Sequence, residues 1–175
     1  MYNIYMKTLI LPGYSIKNKI WAEEIKNKLG PTLNTDVIYW KHWNNEGVST
    51  VWIDEAVTNI NKNYENCQSN IIAKSIGTLV AMKILTLNTR IVNKVILCGI
   101  PLNDLTIEDK RHYSILSNFP NDKILCVQNE NDNHGNFSDV QKFIRSLNPA
   151  TKIISQPRND HEYPYPRIFI EFLKE

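Results

Sequence analysis

Apolar runs of strand length alternate with stretches of helical periodicity from one end of this chain to the other. The runs are "MKTLILP", "TDVIYW", "NIIAKS", "NKVILCG", "DKILCVQ" and "TKIISQ". Most carry consecutive apolar residues. A strand with one solvated face alternates; a strand buried on both faces does not. The pattern predicts an α/β fold, a three-layer sandwich around a mostly parallel sheet of about six strands. No repeat, low-complexity tract or linker interrupts it, so residues 1–175 read as one domain. A chain of that length buries a real core without disulfide or metal staples.

The helices between the runs carry their own signals. In "STVWIDEAVTNINKNY", Ser49 or Thr50 is placed to cap, and Trp52, Ala56, Val57, Ile60 and Tyr64 share one face. "SDVQKFIRSL" opens with a capping-box pattern, Ser138 to Gln141, ahead of the stripe Val140, Phe143, Ile144 and Leu147. Pro166 suits the first turn of a last helix. "IKNKIWAEEIKNKL" reads as a helix with one apolar side and a solvated lysine-rich face. Residues 100–121 have the weakest pattern.

A net charge of +2 provides no strong field for nucleic acid or an anionic membrane. The apolar run before Pro12 is too short for a signal peptide or a span. Cys67, Cys98 and Cys126 have no metal-like spacing and read as reduced, buried thiols, consistent with a cytoplasmic protein. The four histidines show no paired metal spacing either.

Chemistry concentrates at "NIIAKSIGTLVA". Ser75 stands where a strand run passes into a helix run, with Ala73 and Gly77 two residues to either side. A sharp strand-to-helix turn would lift its hydroxyl above the sheet edge, where α/β folds bind ligands, and would admit only small neighbours. The N–H of Ile76 would open the helix and could stabilise an oxyanion. The simpler alternative is that Ser75 caps the helix.

"AKSIG" resembles the nucleophile elbow G-x-S-x-G of the α/β-hydrolase superfamily, with alanine at the first glycine. The resemblance covers nearly the whole chain and implies a reduced version beginning at the family's third strand. It implies a chain order of nucleophile, acid and histidine, here Ser75, then Asp132 in "NENDNHG", then His161 in "PRNDHEYPYP". It also aligns "LILPGYS" with the family's early strand and oxyanion loop. There Gly13 permits an unusual turn, and Tyr14 offers the second oxyanion donor. Asp104, after "VILCGIP", is the main rival for the acid, with Glu130 and Asp160 as further neighbours. His134 is a rival base, otherwise a surface-loop residue. Lys74 reads as solvated and directed away from the hydroxyl. Tyr39 and Trp40 read as core at the end of a strand, and Trp43, just beyond them, as a wall of the substrate pocket.

These readings imply a small serine hydrolase acting on a carboxylic ester or thioester through an acyl-enzyme on Ser75, without a cofactor. They place a small-molecule substrate in an open cleft and leave the oligomeric state open. The contrasting expectation is a hydrolase-like fold that serves as a binding module, since a fold hosts many functions.

Overall fold

A computed structural model describes residues 6–30, 32–44 and 49–175. Six strands form one sheet: β1 (Lys7–Leu11), β2 (Asn34–Val37), β3 (Ser69–Lys74), β4 (Val92–Cys98), β5 (Ile124–Asn129) and β6 (Lys152–Gln156). Their spatial order is β2-β1-β3-β4-β5-β6, and every pair is parallel. Every residue of β3 and β5 is buried, which is why their runs show no alternation.

Among the described residues there are six α-helices: α1 (Asn18–Leu29), α2 (Trp52–Tyr64), α3 (Ile76–Leu87), α4 (Ile107–Arg111), α5 (Phe137–Leu147) and α6 (Pro166–Lys174). Alternate strand residues feed two cores. Ile10, Ile72, Ile96 and Val127 pack with Trp21 and Ile25 of α1 and Phe169 of α6. Leu9, Ile71, Leu97 and Cys126 pack with Val57 of α2, Leu79 and Met82 of α3, and Ile144 of α5. The result is three layers around a six-stranded parallel sheet, as the runs predict.

The order turns back between β1 and β3, since β2 lies on one side of β1 and β4 to β6 lie beyond β3. Such a switch point opens a crevice beyond the carboxyl ends of the strands. The loops after β1 and β3 both enter it.

Several local expectations change. β2 stops at Val37, so Tyr39 lies outside the strand and is 48% exposed, whereas Trp40 is buried. α2 begins after Val51 with no side-chain cap, not at Ser49 or Thr50. α5 starts earlier than its box predicts, because the Asn136 side chain accepts the Asp139 N–H. Residues 100–121 hold α4, capped reciprocally by Thr106 and Asp109, and a 3₁₀ turn that buries Tyr113 and Leu116. α4 buries none of its residues, so it leaves no periodic stripe to read. Cys98 and Cys126 are buried thiols, but Cys67 is exposed. Among the described residues no helix is long and apolar enough to cross a membrane.

Candidate active site

The β3–α3 junction is the most strained point of the described backbone. Ser75 has φ 56° and ψ −128°, and it is the one non-glycine residue there with positive φ. An L-residue in that region costs about 1–3 kcal/mol and persists only where its surroundings hold it. Here the Ser75 N–H donates to the Cys98 carbonyl at 3.0 Å, and the Ser75 carbonyl accepts from the Thr78 N–H at 2.8 Å. The Ser75 side chain makes no capping bond, so helix capping is not what it does. Gly77 is small for a long-range reason: a Cβ there would stand 2.2 Å from the Leu11 carbonyl oxygen of β1.

The loop after β5 carries Asp132, whose side chain is fully buried. One carboxylate oxygen accepts from the Tyr163 hydroxyl and pairs with His161 Nδ1, both at 2.6 Å; the other accepts the His134 backbone N–H at 2.8 Å. Burial pushes the Asp132 carboxyl up. The hydrogen bonds from His161 and Tyr163, the electrostatic attraction of His161 and the His134 N–H outweigh burial and hold it below its ordinary range. His161 Nε2 is buried and has no hydrogen-bond partner.

Around His161 the packing is close. Gly99, at φ 63°, would put a Cβ 2.4 Å from the Tyr163 ring and 3.1 Å from the His161 ring. Only glycine meets both demands. Asn129, at the end of β5, donates to the carbonyls of Asp160 and Glu162 at 2.8 and 2.9 Å, fixing the segment that holds His161. Gly99, Asn129 and Tyr163 escape sequence reasoning. The one available signal is that Gly99 and Asn129 end strand runs.

Ser75 and His161 line one cleft of about 520 Å³, together with Tyr14, Trp52, Ile76 and His134. Ile76 opens α3, so its N–H has no intrahelical acceptor. Tyr14 follows Gly13, but Gly13 has no positive φ; its smallness makes room for the Asn18 side chain, 2.7 Å from where a Cβ would be. Trp43 does not line this cleft. Its indole donates to the Tyr14 carbonyl at 2.8 Å, supporting the loop from behind, and Trp52 forms the aromatic wall.

Two further residues depart from expectation. His134 is not an isolated surface histidine: its Nδ1 pairs with Asp104 at 2.5 Å, and its ring centroid is 4.3 Å from that of His161. The rival acid and the rival base are thus each other's partners. Lys74 is not solvated but 2% exposed, and it too lines the cleft. Glu130 is exposed, and Asp160 is paired with Arg158. Among the described residues no group of three histidine, cysteine or carboxylate side chains could hold a metal ion.

No protein-family model matches this chain, and no curated protein matches it in sequence. Solved structures do match. A predicted CIB-like hydrolase from Thermoplasma acidophilum aligns with TM-score 0.75 at 16% identity, over 99% of this chain and 88% of that one. A serine hydrolase involved in carbazole degradation aligns with TM-score 0.76 at 11% identity, over 97% and 91%. An α/β serine hydrolase without a lid from Xanthomonas campestris aligns with TM-score 0.67 at 12% identity, over 99% and 83%. With the parallel sheet and its strand order, these likenesses show that the chain has the α/β-hydrolase fold.

Proposed function

We propose that this protein is a serine hydrolase that cleaves a carboxylic ester or thioester with Ser75, His161 and Asp132. The observation that carries the reading is the buried Asp132–His161 pair, whose histidine has an unpartnered Nε2 and lines the same cleft as the strained Ser75. Structures of similar fold that are described as serine hydrolases and esterases support it.

The chemistry follows from the residues. A serine hydroxyl attacks poorly until a base removes its proton. His161 is that base through Nε2, and Asp132 holds Nδ1 protonated and stabilises the imidazolium. Attack on the acyl carbonyl gives a tetrahedral oxyanion, for which the Ile76 and Tyr14 N–H groups are the donors. His161 then protonates the leaving alcohol or thiol, the acyl group remains on Ser75, and water repeats the sequence to release the acid. The Ser75 hydroxyl and His161 Nε2 are not hydrogen-bonded to each other in the structure, and catalytic contacts of this kind tighten when substrate binds. The substrate is a small molecule, no cofactor takes part, and the cytoplasm is the expected site.

A fluorophosphonate probe together with short p-nitrophenyl acyl esters tests this. Labelling of Ser75 and ester turnover, both lost in Ser75→Ala, are the expected outcome. A wild-type protein that neither labels nor turns over these esters would instead be the binding module.

A further inference from the structure

Lys74 is a charged side chain buried in the cleft that the mechanism above does not use. Its ammonium donates to Glu162 Oε2 at 3.0 Å and to Asn18 Oδ1 at 2.9 Å, and lies 5.4 Å from the Trp21 ring centroid. The side chain is 2% exposed, whereas that of Glu162 is 59% exposed. In sequence Lys74 immediately precedes Ser75, and Glu162 immediately follows His161. The ion pair therefore joins the two backbone segments that carry the proposed nucleophile and base.

The other contacts of the His161 segment lead elsewhere. Asn129 ties it to β5, Tyr163 ties it to Asp132, and the Trp21 indole ties it to α1 through the Tyr163 carbonyl at 3.0 Å. Among the described residues, the side-chain tie from this segment to β3, the strand that ends immediately before Ser75, is Lys74–Glu162. The ammonium end is buried while the Glu162 carboxylate is exposed, so the pair is screened from one side only. Trp21 and Asn18 confine the ammonium, so the tie has a defined length.

We infer that Lys74 and Glu162 are positioning residues: their ion pair is a strut that sets the separation of His161 from Ser75. The inference rests on the roles proposed above for those two residues. Small misplacements of reacting groups can cost about 10²-fold in rate, so a strut acts on kcat and not on substrate affinity.

The test uses Lys74→Met, Glu162→Gln and the double variant. Lys74→Met should lower kcat, and the rate of Ser75 labelling by fluorophosphonate, about 10- to 100-fold, with KM changed less than about twofold. Glu162→Gln should lower both rates about 3- to 10-fold, and the double variant should be no worse than Lys74→Met, as for groups acting as a unit. Unchanged labelling well below the melting temperature overturns the inference, even if the melting temperature falls. So do multiplying effects in the double variant. A raised KM with kcat retained also overturns it, and would make Lys74 a substrate-binding group. Should Lys74→Met fail to fold, Glu162→Gln decides alone, because the exposed glutamine keeps the size of the side chain and its amide oxygen can still accept from the Lys74 ammonium. A wild-type protein that never labels defeats the Ser75 reading itself; normal wild-type labelling with unaffected variants defeats only the strut.

Discussion

Two histidine–carboxylate pairs meet at the cleft, which His161, His134 and Asp104 line while Asp132 lies buried behind them. Asp132–His161 spans 2.6 Å and Asp104–His134 spans 2.5 Å, so distance does not tell them apart. Surroundings do. The side chains of Asp132 and His161 are 0% and 18% exposed, and those of Asp104 and His134 are 57% and 41% exposed. Asp132 also receives two further hydrogen bonds, from Tyr163 and from the His134 backbone. A carboxylate held in that way orients an imidazole. An exposed pair is screened by water and typically contributes about 0–1 kcal/mol. Two pairs of the same composition thus divide into a buried one, to which the proposed proton transfer is assigned, and an exposed one that links neighbouring loops. Asn103 completes the link with its amide donating to the Asn133 carbonyl at 3.1 Å.

The comparison breaks most directly at the histidines. His161→Ala should lower ester turnover about 10⁴-fold or more, and the Ser75→Ala/His161→Ala double variant should be scarcely worse than either single one. His134→Ala should cost less than about tenfold. If the two histidines exchange these outcomes in steady-state assays, the exposed pair is the reactive one.

The carboxylates come next. Asp132→Asn should lower kcat about 10³-fold, less than loss of the imidazole, and Asp104→Asn less than about tenfold. A larger loss at Asp104 would move the acid to the loop after β4.

A smaller effect is expected beneath the buried pair. Gly99→Ala should destabilise by about 1–3 kcal/mol, because positive φ and the Tyr163 ring both oppose a Cβ. Gly13→Ala should cost less, since only the Asn18 side chain must move. Thermal melts of the two variants check the order.

The smallest effect concerns pH. The folded-state pKa of Asp132 lies below its ordinary value of 3.8. Its contribution to stability is therefore present above the unfolded pKa, near pH 4, and is lost as pH falls through the folded value. Chemical denaturation between about pH 5 and pH 2 should show a shallower decline for Asp132→Asn than for wild type. Tyr163→Phe, which removes one donor to the carboxylate, should fall between them. An unaltered slope in Asp132→Asn would mean that the carboxyl is not depressed.

Much of this arrangement is legible before folding. Burial on both faces is a property of each strand separately, so consecutive apolar residues mark the central strands, whereas β2 and β6 at the sheet edges are only partly buried and β2 lies ahead of most of its apolar run. Ser75, Asp132 and His161 are readable because each ends or follows an apolar run, and a parallel sheet delivers all such ends to one edge. What local periodicity cannot encode is which loop meets which across that edge. Asp104 meets His134, Trp52 and not Trp43 forms the wall, Gly99 makes room for Tyr163, and Lys74 lies buried against Glu162. Each of these depends on strand order and on side chains from segments far apart in the chain. A lysine at a strand end has the same local sequence whether water or a carboxylate from the last loop receives it. Only the packed sheet determines which one does.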